Sequence, residues 1–478
     1  MDTFFLLSIS TFLMKLFLFL FLLFCSSVAF AQTKLSEASI TTTNLIGTGN
    51  NLPFWMTHNQ LGEYSSTDNL QELTEGTLFG STKLFGNLNL TYGADLALLI
   101  TEKGVDPKII QAYLGLSGKV IRIQAGAFAD DELLGGLSSS NGDLIRSLNY
   151  RPYPKVRFST PGFIPFLFAK SWFRFNAEYD EGLLTDERIV DRPHLHHKSL
   201  MLQVRASSTL RFVLGLNHYV FWGGRNDQFG QLPDKLKDYI LYVIGSAGTA
   251  NFLETDRLNI AGDQLGSYLL TAEKDFENFQ FEIRISHPFE DGSGMGFINI
   301  KDNLYTLYFR RNKTGSILDE LVFEYMFSKH QSGNHTVLDI PTEKHWLEMD
   351  DYFNHSVYQT GFTYKGQSMG TPLFEPIRFN EAGIVSGVSN NRVTAFHLGA
   401  KGTLSNAFSW KGRMTYSRNF GTWVQPFNPI SQQIVLLAEM SWKSKNLPLT
   451  LSTLMAVDLG QLTANQMGIG FQAQWTLY

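Results

Sequence analysis

The chain has 478 residues, 17% of them charged and 14% aromatic, where ordinary soluble domains are nearer a quarter charged. A net charge of −5 supplies no basic field for phosphate and excludes a nucleic-acid partner, while 39 Phe, 18 Tyr and 8 Trp exclude a disordered chain. Past the leader no apolar stretch reaches the roughly 20 residues that cross a bilayer as a helix, so a helical membrane bundle is excluded as well.

The first element is a secretory signal. Lys15 precedes the apolar run Leu16 to Phe24, and Ala29-Phe30-Ala31 follows, so cleavage is expected after Ala31 and the signal is residues 1–31. Met1 to Leu13 carries Asp2 and no positive charge, which favours Met14 over Met1 as the initiator. Acylation at Cys25 is the weaker alternative, because bulky Phe24 stands where such sites want a small residue. Cleavage at Ala31 leaves no cysteine, removing disulfides, thiol catalysis and Cys-ligated metals together; no cofactor is expected. Residues 32–76 show little alternation and read as a periplasmic or plug segment, in which Thr67 to Leu73 could cap a short helix.

From residue 77 to 478 the pattern has period two. Leu84 to Leu98 carries Leu, Gly, Tyr and Ala on even positions and Asn87, Asn89, Thr91 and Asp95 on odd ones, one face apolar and the other polar. A loop is expected at Lys103 to Pro107 and a tight hairpin at Ser117-Gly118-Lys119. Ile110/Ala112/Leu114/Leu116 repeats the alternation between them. Asp130 to Pro165, with Pro152, Pro154, Pro161 and Pro165, cannot be one strand and reads as a lid, constriction or plug. Alternation resumes in Phe173/Phe175/Ala177/Tyr179, Phe281/Ile283/Ile285, Tyr358/Thr360/Phe362/Tyr364, Trp410/Gly412/Met414/Tyr416, Ile434 to Trp442 and Ile469 to Leu477.

A soluble sandwich and a membrane barrel both place apolar and polar residues on alternate strand faces. The export signal, the long amphipathic strands and a strand at the carboxyl end ending in Tyr478 favour an all-β, transmembrane antiparallel β-barrel in the outer membrane. There every backbone group must pair and no sheet edge can stay open.

Few residues suggest chemistry. Of His194, His196 and His197, the first two could project from one strand face like metal ligands; the alternative is a wet strand end, where adjacent Lys198 opposes a cation. Glu290 to Gly294 lacks the later oxygens of a calcium loop. Ser286 and His287 are adjacent without a hydrolase motif around them. His218-Tyr219-Val220-Phe221-Trp222-Gly223-Gly224-Arg225-Asn226-Asp227 offers a stacking ring, close backbone approach and fixed polar groups, the combination that sugars need; the alternative is an interfacial aromatic belt.

His218 to Gly224, Asp263 to Tyr268, Pro288 to Gly294, Asp351 to His355, Gly366 to Phe374, Asn390-Asn391-Arg392 and Thr415 to Gly421 together resemble the capsule assembly family Wzi. The resemblance covers roughly Trp55 to Tyr478. It implies a barrel of about eighteen strands with a small periplasmic helical element, binding capsular or other exopolysaccharide at the cell surface as a lectin. On that reading the protein is non-enzymatic and a monomer, with polysaccharide and outer-membrane lipid as partners. Trp222, Arg225, Asp227, Asp263, Gln264, Glu290, Asp291 and Arg392 are expected to line its lumen or mouth. A channel for polysaccharide or small solutes is the alternative, and an outer-membrane hydrolase a third class.

Overall fold

The computed structural model describes residues 33–166, 171–333 and 349–478; the expected signal lies outside them. Eighteen strands form the wall: β1 (Thr33–Gly47), β2 (Leu70–Phe85), β3 (Leu88–Thr101), β4 (Gly104–Ser117), β5 (Arg122–Ala127), β6 (Pro154–Ser159, continued by Ile164–Pro165), β7 (Phe173–Leu183), β8 (His194–Arg205) and β9 (Leu210–Trp222). They continue as β10 (Asp263–Asp275), β11 (Phe279–Phe289), β12 (Asn303–Arg311), β13 (Glu320–Phe327), β14 (Val393–Ser405), β15 (Phe408–Gly421), β16 (Pro426–Lys443), β17 (Leu449–Gly460) and β18 (Gln466–Thr476). Each pairs antiparallel with its neighbours in sequence, and β18 pairs back onto β1 from Ser39↔Thr476 to Gly47↔Gly468. The sheet therefore closes on itself and leaves no edge.

Alternation sets the two surfaces. Leu214 faces Leu270, and Leu307, Phe323, Leu398 and Met414 line up across β12 to β15; with Phe471 of β18 they stand exposed on the outside. Between them Asn217, Ser267, Thr271, Glu324, His397 and Thr415 point inward and are buried. Apolar outside and polar inside is the arrangement of a lipid-facing barrel, and the protein is an outer-membrane β-barrel. The start of β1 at Thr33 and the end of β18 at Thr476 lie with short turns such as 86–87 and 406–407, the periplasmic end by the usual asymmetry of such barrels. The opposite rim carries L1 (48–69), L2 (102–103), L3 (128–153), L4 (184–193), L5 (223–262), L6 (290–302), L7 (described at 328–333 and 349–392), L8 (422–425) and L9 (461–465).

The core is inside the lumen. One cluster joins Leu144, Tyr150 and Tyr153 of L3 and Tyr352, Phe353, Phe362 and Phe374 of L7 to the inward wall residues Leu195, Tyr219, Phe221, Leu304 and Met326. A second seats Leu52, Trp55, Met56 and Tyr64 of L1 against Leu45, Leu73, Leu99, Ile110 and Leu437.

Four sequence expectations are corrected. The barrel starts at Thr33, not at residue 77, because β1 turns Ile40, Thr42, Asn44 and Ile46 outward, a mixed row that hides its period. Thr67 to Leu73 holds no helix; the short helix α1 (Phe54–Thr57) sits in L1 at the extracellular end. Leu84 to Leu98 is two strands, since Gly86 adopts φ +55 and turns the chain. Tyr358 to Tyr364 lies in the plug and not in the wall, its rings buried among L3 and L7. Two details also shift. Lys103 to Pro107 shortens to the turn at L2, with Pro107 inside β4. A bulge opposite Asp95/Leu96 turns Ile109 outward and sends Ile110 into the core.

Candidate functional site

L3 crosses the lumen and is bonded to the wall on several sides, so the expectation of a plug in Asp130 to Pro165 applies to its first part. Gly135, Gly136 and Gly142 take positive φ, which lets the backbone fold tightly against the wall. Lys401 donates to the carbonyl of Gly135 at 2.9 Å, Arg413 to that of Gly136, and the His397 Nε2 lies 2.7 Å from the Leu137 carbonyl. Glu324 of β13 accepts from the Ser138 hydroxyl at 2.5 Å and from the backbone N–H and hydroxyl of Ser139 at 2.8 and 2.6 Å. Across the lumen Asp143 accepts from Asn217 at 2.7 Å, Ser267 at 2.9 Å and Ser286 at 2.8 Å.

A charged cluster secures the same loop to β6 and β7. Arg146 bridges Asp130 at 2.6 Å and Glu178 at 2.8 Å, and Arg157 holds Asp180 through two bonds of 2.5 and 2.7 Å. Burial alone would push the Asp130 carboxyl up, but the guanidiniums of Arg146 and Arg157 hold it well below the usual carboxylate range. Each buried charge thus has a partner, the condition for keeping it inside.

L1 and the described parts of L7 pack inside the barrel as well. Phe54 donates its N–H to Asp458 of β17 at 2.9 Å, and Tyr352 donates to Asp302 of L6 at 2.9 Å. His58 of L1 lies 2.7 Å from Glu375 of L7. Burial opposes a charge on His58, yet Glu375 beside it holds its pKa above the ordinary 6.5. Below the plug the interior is different: Arg211, Glu273, Asp275, Glu282, Arg284, Lys401 and Glu439 line it half-buried, as in a wet vestibule. Glu63, Glu75 and Asp95 bring carboxylate oxygens within 4.8 Å of one another, close enough to share protons or hold a cation.

Between L7 and L8 lies a cavity of about 530 Å³ lined by Asn354, His355, Gln359, Arg378, Phe379 and Ser386 of L7 and Gln425 of L8. A small hairpin, Ile377–Phe379 with Val385–Val388, carries the arginine and the ring. Phe379 is 59% exposed, and the buried Arg378 Nε has no partner among the described residues. The His355 Nδ1 accepts from the backbone N–H groups of Val357 and Tyr358, both at 3.1 Å, so its other nitrogen carries the proton. Burial pushes this imidazole down to about 4, and it stays neutral at pH 7. An exposed ring, a guanidinium and several amides around one hollow suit a polar ligand with apolar C–H faces.

None of the residues expected from sequence lines this cavity. Trp222 and Gln264 point out of the barrel: Trp222 stacks on His194 at 4.5 Å, and Gln264 bonds His218 at 2.8 Å. Their alternation places them on the outward row of β9 and β10, opposite to the expectation of lumen or mouth. Arg225 and Asp227 are exposed on a small L5 hairpin, while Asp263 turns inward beside Phe221. Glu290 accepts the Asp351 N–H at 2.7 Å, Asp291 accepts from Asn259 at 2.9 Å, and Arg392 stacks over Trp423 at 3.7 Å. Asp263 and Asp291 lie close enough to Glu290 for their charges to act on it, but Trp222 and Gln264 face outward and Arg225 and Asp227 stand exposed on L5, so the eight do not form one site. Ser286 and His287 face opposite sides of β11, Ser286 toward Asp143 and His287 toward the Asp302 carbonyl. Sequence did contain one signal for the mouth: Asn354-His355 belongs to a string already singled out for family resemblance.

No protein-family model matches the sequence, and no curated protein does. Solved barrels are similar at a distance. Pseudomonas aeruginosa OpdQ has 9% identity and a TM-score of 0.47, covering 92% of this chain and 97% of its own. P. aeruginosa OprD has 10% identity and a TM-score of 0.46, covering 92% and 94%. Acinetobacter baumannii OccAB2 has 10% and 0.47, covering 92% and 98%.

Proposed function

We propose that this barrel is a non-enzymatic attachment protein that holds capsular or other exopolysaccharide at the cell surface. The observation that carries the reading is the cavity of Arg378, Phe379, His355 and four polar neighbours between L7 and L8, beside the L1, L3 and L7 segments packed inside the barrel. A glycan reaching that hollow meets a stacking ring and hydrogen-bonding groups, with a packed plug beside it. Many weak contacts along one polymer then add through effective concentration.

Passage of polysaccharide or small solutes is the second reading, favoured by the half-buried charged vestibule beneath the plug; it requires the plug to move. Two measurements separate them. In a planar bilayer the attachment protein is nearly silent, and a deletion strain makes polymer but sheds it into the medium. Phe379→Ala with Arg378→Ala should reproduce the shedding with the barrel still folded. Stepwise conductance in the wild type, with polymer still cell-bound in the deletion, assigns the protein to passage.

A further inference from the structure

On the outside of the barrel, near the extracellular rim, the apolar row of the wall stops. In place of leucines, the outward positions of β7 to β10 become Glu181, His196, Lys198, His218 and Gln264. Such a polar patch cannot face hydrocarbon without partners. L5 covers it. Its helix α2 (Leu236–Ile244) lies on the outward face of β9, with Tyr242 and Phe252 packed on Val220 and Tyr239 against Trp222 at 4.8 Å.

The cover also supplies partners to much of the patch, although Glu181 Oε2 and His196 Nε2 keep none among the described residues. Tyr239 donates to Glu181, whose Oε1 lies 2.7 Å from the His196 Nδ1. Lys198 donates to the Val243 carbonyl, and Gln264 to those of Tyr242 at 3.2 Å and Ala261 at 2.7 Å. Asp238 accepts from the Lys235 N–H at the helix start, and Gly245, at φ +65, ends it.

The other side of α2 is apolar and bare. Leu236, Ile240 and Ile244, spaced by four, are 77%, 52% and 65% exposed. Beside them L6 folds over β10 and β11, with Phe297 stacked on Tyr268 at 4.9 Å, and leaves Phe297 and Ile300 exposed too. These side chains stand above Leu214, Leu216 and Leu270 on the same outward rows of β9 and β10, so they continue the lipid-facing surface where the wall itself turns polar.

We infer that α2 with Phe297 and Ile300 is a lipid-contacting apron, embedded among the acyl chains of the outer leaflet, which restores the apolar belt over the polar patch. Exposed Lys237 then sits at headgroup level. This inference depends on the barrel's outward face and not on the glycan reading.

The test uses the full-length barrel in a Cys25→Ser background, with bimane on Ile240→Cys or Ile244→Cys, in phosphatidylcholine vesicles with brominated acyl chains. Leu214→Cys on the wall and Val424→Cys in L8 are the references. Quenching at 240 and 244 should come within about twofold of position 214 and several-fold above position 424. Quenching no stronger than at 424, with full access to aqueous iodide, would place the helix in water. Protection from both quenchers would place a protein on it, a second copy included. Either result overturns the apron.

Discussion

His58 shows how one side chain can tie two loops together. Its imidazole reaches Glu375 at 2.7 Å, joining L1 to L7, and its pKa is raised above 6.5 although burial opposes the charge. A group with a raised folded pKa contributes stability that is complete below about pH 6.5, its unfolded value, and lost as pH climbs through the folded one. His58→Gln should therefore cost about 1.5–3 kcal/mol at pH 6, the range for a hydrogen bond to a charged group, and progressively less at alkaline pH. Thermal melts of both proteins across pH 5 to 9 read this difference. Equal melting profiles would remove the charge from the account. His355 behaves oppositely: half-buried with no carboxylate acting on it and pushed down to about 4, it gives the cavity a neutral donor whose contribution to binding should not change between pH 6 and 8.

Among the elements, L3 depends most on acceptors supplied by the wall. Glu324 alone receives bonds from Ser138, Ser139 and Thr306, so Glu324→Ala strands several donors at once, each costing about 1–3 kcal/mol if it stays buried. L3 should then leave the lumen. Limited proteolysis within 128–153 and a rise in conductance report that release; a protease-resistant loop and a silent bilayer would show that Asp143 and Arg146 suffice to hold it. The element also marks how far patterning can be read. Prolines and Gly-Gly signals exclude a regular strand from Asp130 to Pro165, and L3 occupies much of that interval. That its serines meet Glu324 was not legible, because the partner lies 185 residues away. Tyr358 to Tyr364 misled for a related reason: rings alternating at period two pack equally well in an irregular plug, where burial follows from neighbours and not from pleat.

At the scale of the molecule, closure and the lipid belt account for the fold. Leu214→Arg, in the middle of β9 on the outward face, should cost roughly 2–4 kcal/mol toward the membrane centre and much less near either interface. Refolding titrations into vesicles measure it; an unchanged midpoint would move Leu214 out of the hydrocarbon. By itself the sequence determined an all-β barrel, the outward parity of β3, β7, β11, β15, β16 and β18, and an interval from Asp130 to Pro165 that is not one strand, because period-two patterning is local and a lipid-facing row must be apolar along its length. It fell short at β1, where Thr42 and Asn44 interrupt the outward row, and at the rim, where Trp222 and Gln264 look like a mouth but face the outside. Only the tertiary structure decided the register that closes β18 on β1, the partners that hold the plug, and which of two polar surfaces is wet. Those are contacts between residues hundreds of positions apart, and a side chain's role there depends on what the folded chain places against it.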